Sequence, residues 1–122
     1  MSRRTGPEGG PLLVVEVKSP AGLEIPFALA NEALWVIREA LQNIARHSGS
    51  RIAQIEVTRD DMLRVIVRDE GAGFDVTAAP AGHYGLRGMR ERVLALGGEF
   101  KIDSEIGRGT ILSFSLPLPK EI

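Results

Sequence analysis

Asp69-Glu70-Gly71-Ala72-Gly73-Phe74 closes a strand-like run, Met62-Leu63-Arg64-Val65-Ile66-Val67-Arg68. Successive side chains of a strand face opposite ways, so Leu63, Val65, Val67 and Asp69 share one face. Three of those four are apolar, and the carboxylate of Asp69 points where a core should be. A buried carboxylate is costly unless a donor meets it. Gly71 and Gly73 follow at once, where the backbone turns tightly or lets something come close. The stretch therefore reads as the floor of a pocket. The alternative is a carboxylate that caps a turn, as Asp often does.

Around this stretch the chain has room for one domain and one core, with 122 residues, 43% of them apolar and 25% charged. A formal net charge of −1 argues against an overall basic field for nucleic acid. The absence of cysteine excludes a disulfide framework, a thiolate metal site and a thiol nucleophile. No apolar run approaches the ~20 residues that span a bilayer, and residues 1–10 carry no secretory h-region. Those ten residues read as a flexible linker or domain boundary, 11–119 as the domain and 120–122 as a tail.

In chain order, Pro11 to Lys18 is a predicted strand, and Ser19-Pro20-Ala21-Gly22 a turn. Pro26 suits a first helical position, and a helix runs from there to about Ser48. Phe27, Ala30, Leu34, Ile37, Leu41 and Ile44 recur at three and four residues and form the expected apolar stripe. A hairpin follows, with Ala53, Ile55 and Val57 facing in, Arg59-Asp60-Asp61 turning and Met62–Asp69 returning. Val76–Gly82 is a loop of small residues. A second helix, about Gly85 to Leu96, carries the stripe Leu86, Met89, Val93 and Leu96 and stops at Gly97-Gly98. A last hairpin joins Glu99–Ser104 to Thr110–Leu116 around 105–109. The order β-α-β-β-α-β-β predicts an α/β fold: a two-layer sandwich, its mixed sheet mostly antiparallel with helices on one face.

Three further places can carry chemistry. Glu39, Asn43 and His47 are spaced by four along the long helix, opposite the expected stripe, with Arg46 beside them. A solvated face is the ordinary fate of such residues. Asn is nevertheless a poor helix-interior residue, and Trp35 and Val36 keep that side from being uniformly polar. A carboxylate and an amide one turn apart offer hard oxygen ligands to Mg²⁺, which draws its remaining ligands from phosphates and water. Arg46 and His47 can then neutralise phosphate charge. At the second helix, His83-Tyr84-Gly85 precede a start whose free N–H groups suit an anion, and arginines 87, 90 and 92 add positive charge. Gly88, one turn in, costs about 1 kcal/mol against Ala and is otherwise unexplained. Thr110 faces inward as Asp69 does; taken alone it is an ordinary strand-start threonine.

Together these pieces resemble the GHKL ATPase superfamily (gyrase, Hsp90, MutL and sensor histidine kinases). They most resemble the catalytic ATP-binding domain of histidine kinases of the nitrate-sensor and DesK-like class. Arg38-Glu39-Ala40-Leu41-Gln42-Asn43-Ile44-Ala45-Arg46-His47-Ser48 is similar to the N box. Asp69-Glu70-Gly71-Ala72-Gly73-Phe74 is similar to the G1 box. His83-Tyr84-Gly85-Leu86-Arg87-Gly88-Met89-Arg90-Glu91-Arg92 is similar to the G2 region, and Gly107-Arg108-Gly109-Thr110 to the final Gly-x-Gly-Thr. Four boxes in order, from about residue 25 to 119, make a specific signal where a lone Asp-x-Gly-x-Gly would not.

The resemblance implies a Bergerat fold binding ATP and Mg²⁺. Asp69 would accept from the exocyclic amine of adenine, with Thr110 assisting through water. Gly71 belongs to the same box, and Gly73 would let the base or its neighbours pack close. Asn43 would ligate Mg²⁺, and Glu39 would polarise water or assist phosphoryl transfer. Arg46 and His47 would contact phosphate and nucleoside. Residues 76–82 would be an ATP lid, Gly85, Leu86, Arg87 and Gly88 would cap the phosphates, and His83, Tyr84 and Met89 of the same region would also belong to the ATP site.

The implied partners are ATP, a histidine-bearing dimerisation domain and a downstream response regulator. Neither nucleic acid nor membrane is expected to contact this cytoplasmic domain. Kinases of this class carry the acceptor histidine on a separate helical domain, whereas His47 and His83 both fall inside ATP-site motifs. The expectation is thus an excised catalytic domain that does not autophosphorylate alone. The competing readings are a stand-alone GHKL serine kinase of the anti-sigma type, a non-catalytic binding module of the same fold, and a gyrase- or MutL-like fragment. The G2 sequence favours the sensor kinase over the serine kinase, and the presence of both Asn43 and Asp69 weighs against the non-catalytic module.

Overall fold

The computed structural model describes residues 13–48, 50–71, 73 and 85–120, with backbone alone at 47 and 48. Five strands and two helices follow one another as β1 (Val14–Lys18), α1 (Phe27–Asn43), β2 (Ile52–Arg59), β3 (Met62–Asp69), α2 (Leu86–Ala95), β4 (Glu99–Glu105) and β5 (Gly109–Pro117). The strands form one sheet in the order β1-β2-β3-β5-β4. Tight connections make β2–β3 and β4–β5 antiparallel, and β3 pairs antiparallel with β5. β1 and β2 are parallel, which needs a long crossover, and α1 supplies it.

Strand alternation puts Ala53, Ile55, Leu63, Val65, Val67, Phe100, Leu112, Phe114 and Leu116 into a single core with residues of both helices. The mixed two-layer sandwich is as the sequence predicts. β1 is shorter than expected and forms a largely exposed edge; residues 11 and 12 lie outside the described set. Asp60 fastens the β2–β3 turn. Its Oδ1 accepts from Met62 N–H at 2.8 Å, and its Oδ2 meets Arg64 Nε at 3.2 Å. Those bonds hold its carboxyl below the ordinary carboxylate value, the Met62 N–H first among the causes. α2 ends in a Schellman motif, with Gly98 N–H on Val93 O and Gly97 N–H on Leu94 O, both 3.0 Å.

The orientation of α1 corrects the sequence reading. The buried residues are Ala33, Val36, Ala40 and Ile44, while Phe27 is 80% and Leu34 54% exposed. The helix is turned by roughly a quarter of a revolution from the stripe of large apolar residues. Small alanines, undervalued in such a stripe, let its backbone approach the sheet. Asn43 therefore lies about 60° around the axis from Ala40, at the flank of the buried stripe rather than opposite it. Pro26 is the N-cap and Phe27 the first helical residue, one position later than expected. The regular helix stops at Asn43, and a wider π-helical turn covers Ile44–Ser48.

Candidate functional site

β3 places Asp69 as its alternation predicts: the residue is 7% exposed, at the end of a face formed by Leu63, Val65 and Val67. Its Oδ1 accepts from Gly71 N–H at 2.7 Å, and Oδ2 is shut off from solvent. The turn-capping alternative thus holds for one oxygen, and the inward-facing carboxylate is also real. Across the sheet Asp69 pairs with Ala53 on β2 and Thr110 on β5, and Thr110 pairs with Ser104 on β4. Ala53, the smallest of these neighbours, is fully buried beside Asp69.

Two glycines are required here by backbone contacts. Gly73 has φ +66°, and a Cβ there would sit 2.0 Å from Glu105 O. The close neighbour that Gly73 admits is the carbonyl of the β4–β5 hairpin. Gly109 has φ +80°, and its Cβ would lie 2.3 Å from Asp69 O. The last glycine of the Gly-x-Gly-Thr run thereby lets β5 pass close to the end of β3 and sets Thr110 beside Asp69.

The second cluster is helical. Glu39 and Asn43 lie one turn apart on α1 and are both half-buried; Arg46 is exposed. A Cβ on Gly85, the left-handed N-cap of α2, would be 3.5 Å from Glu39 Oε1, so the start of α2 sits against Glu39. The first-turn N–H groups of α2 have no intrahelical acceptor. Met89 is fully buried and Leu86 partly so, which anchors this start to the core. A Cβ on Gly88 would meet Trp35 at an ordinary 3.8 Å, so among the described residues no steric contact demands glycine there.

The arginines of α2 are less available than the sequence suggests. Arg92 stacks 4.3 Å from the Trp35 ring centroid and pairs with Glu32 at 3.1 Å, while Arg90 lies 5.2 Å from the Phe100 ring. Arg87 alone has a readily exchanged partner, Glu91 at 2.9 Å in an exposed i,i+4 pair. The side chain of His47, residues His83 and Tyr84, and the expected lid at 76–82 lie outside the described residues. Ser104, which the sequence reading passed over as a strand residue, is 8% exposed; it meets Thr110 Oγ1 at 2.7 Å and Gly109 O at 3.2 Å. Its even spacing from Phe100 and Ile102 was the available signal.

Among the described residues no group of three His, Cys, Asp or Glu could hold a metal, and no helix is long and apolar enough to cross a membrane.

Residues 30–120 match the family described as "Histidine kinase-, DNA gyrase B-, and HSP90-like ATPase". The sensor histidine kinase YdfH of Bacillus subtilis is 35% identical over 97 residues, 76% of this chain and 24% of the relative. The sensor protein VraS of Staphylococcus aureus is 34% identical over 80% of this chain and 28% of its own length. The chain thus spans about a quarter of these relatives. Among solved structures, the blue-light activated histidine kinase of Erythrobacter litoralis EL346 superposes with a TM-score of 0.72 and 25% identity, over 93% of this chain and 38% of that one. With its core, both site clusters and most of its length inside the matched segment, the chain belongs to the histidine kinase-, DNA gyrase B- and HSP90-like ATPase family.

Proposed function

We propose that this chain is the ATP-binding catalytic domain of a sensor histidine kinase. In this reading it binds Mg-ATP and presents the γ-phosphoryl to a histidine on a separate dimerisation domain, for relay to a response regulator. The observation that carries the reading is Asp69: a carboxylate facing inward from the end of a buried strand face, with Gly71 N–H on its Oδ1. A buried acceptor of this kind suits the exocyclic amine of adenine, since a charge-assisted bond offsets its desolvation.

Asn43 and Glu39 suit Mg²⁺ by donor chemistry. Two half-buried residues one turn apart, each bearing a side-chain oxygen, fit an ion that brings phosphates and waters as its other ligands. Bound there, the ion would neutralise charge on the β- and γ-phosphates. Asn43 would hold it, Glu39 would orient water or the acceptor, and the N–H groups at the start of α2 would face phosphate oxygens. Gly88, unneeded by the helix itself, suits close approach of such an anion.

Calorimetric titration with ATP, ADP and GTP, each with and without Mg²⁺, tests the reading. Selective Mg-dependent ATP binding, weakened for ATP and ADP alike by Asp69→Asn, is expected. Unchanged affinity in that variant would sink the pocket assignment. Addition of a separately made dimerisation domain is then expected to yield phosphohistidine, and phosphoserine on a protein partner would instead favour the anti-sigma type.

A further inference from the structure

β1 is an outer strand of the sheet, and all of it is exposed, Val14 at 57% and Val17 at 64%. Val14 N–H donates to Arg51 O at 2.8 Å, which turns the backbone groups of Val14, Glu16 and Lys18 towards β2. Those of Val15 and Val17 then point away from the sheet, where nothing among the described residues meets them. Such an edge pairs with another strand unless a proline, a bulge or like charges prevent it. β1 contains no proline, and its two charges, Glu16 and Lys18, are of opposite sign. The other outer strand, β4, carries Glu99, Asp103 and Glu105 against Lys101, an excess of acid that disfavours a second copy there. Lys18 has no ion pair among the described residues, because Glu56, its neighbour on β2, is engaged by Arg68 at 3.3 Å.

We propose that β1 pairs antiparallel with β1 of a second copy of this chain, with Val17 opposite Val17 on the two-fold axis, so that two sheets join edge to edge. This goes beyond the proposed function and does not rest on it. Since Val15 and Val17 carry the outward backbone groups, an antiparallel copy must set these odd-numbered positions against odd-numbered ones. Three such registers overlap by three strand residues or more. The register centred on Glu16 sets that carboxylate against its own copy, a repulsive pair. The register centred on Val15 sets Glu16 against Val14 and leaves Lys18 without an acid. The register centred on Val17 sets Glu16 against Lys18 twice, at the non-hydrogen-bonded sites where side chains come closest. It also covers Val17 with its own copy between two reciprocal backbone bonds. Charge complementarity selects both the partner and the register.

Sedimentation equilibrium of the purified chain, up to about 1 mM, is the test, with folding checked by thermal melting. A monomer–dimer equilibrium is expected, with a dissociation constant of about 100 μM or below, as suits a small interface. Val17→Pro removes an N–H that β2 does not use and is expected to abolish the dimer. Val17→Lys, which opposes like charges on the axis, carries the same test if the proline variant does not fold. Glu16→Lys and Lys18→Glu are each expected to weaken the dimer about tenfold, and the two together to restore it. A chain that stays monomeric throughout overturns the inference, as does a dimer that survives the Val17 substitutions. A dimer indifferent to the charge reversals overturns the register and the proposal with it.

Discussion

The two clusters of the candidate site are built on different principles. At the sheet end, Asp69, Thr110 and Ser104 project from three neighbouring strands, and their spacing is enforced by backbone contacts at Gly73 and Gly109. At the helix end, Glu39, Asn43 and the start of α2 are half-buried groups at helix termini, with an exposed ion pair at Arg87. A sheet ladder can hold hydrogen-bond acceptors to a fixed pattern, which suits recognition of one chemical edge. Helix termini supply partial charge with little demand on exact position, which suits a polyphosphate with its ion and waters. Selectivity is thus expected from the rigid end and charge neutralisation from the looser one.

The largest effect that could break this contrast is at Gly109. Gly109→Ala combines a left-handed φ with a Cβ 2.3 Å from Asp69 O and is expected to cost about 3 kcal/mol in chemical denaturation. A loss under 1 kcal/mol would mean that the sheet end is pliable rather than rigid. Next, Asp69→Asn is expected to weaken ATP and ADP equally, by about 10- to 100-fold, since it acts on the base alone. Asn43→Asp is expected to change ATP affinity about tenfold with Mg²⁺ present and to have less effect without it, which calorimetry in EDTA would separate. Equal effects with and without the ion would move Asn43 out of the phosphate end.

Gly88→Ala sharpens the comparison with opposite signs. An exposed helical position whose Cβ meets only ordinary contact should gain up to about 1 kcal/mol in stability, while nucleotide triphosphate binding falls. A gain in both would show that phosphate does not approach that turn. The smallest expected effect is at Asp60, far from either cluster. Its carboxyl is lowered in the folded chain, so its contribution is present above the unfolded value and is lost as pH falls through the folded one. Asp60→Asn should flatten the acid side of the stability profile slightly and leave nucleotide binding alone.

What could be read in advance differs between these ends for a physical reason. Strand alternation has a period of two, so one apolar face determines which way Asp69 points, and the structure agrees. α1 offered no such certainty. Apolar residues surround most of it, and Phe27, Leu34, Ile37 and Leu41 formed as good a stripe as the Ala33, Val36, Ala40 and Ile44 that are buried. Trp35 was ambiguous because it is covered by Arg92 of α2, which Glu32 of α1 holds in place. The arginines of α2 were legible as charge and not as partners: stacking of Arg90 on Phe100 exists only once β4 lies under α2.

The sequence by itself determined the element order, the inward carboxylate at Asp69, the turns and stops at Asp60 and Gly97-Gly98, and the four boxes by which its family is legible. All of these rest on interactions within a few residues or on local periodicity. The tertiary structure alone decided the strand order that sets Thr110 beside Asp69, the rotation of α1 that brings Asn43 to the flank of the core, and the contact of Ser104 with Thr110. Those depend on contacts between distant segments, and their geometry is set by packing that no local pattern encodes.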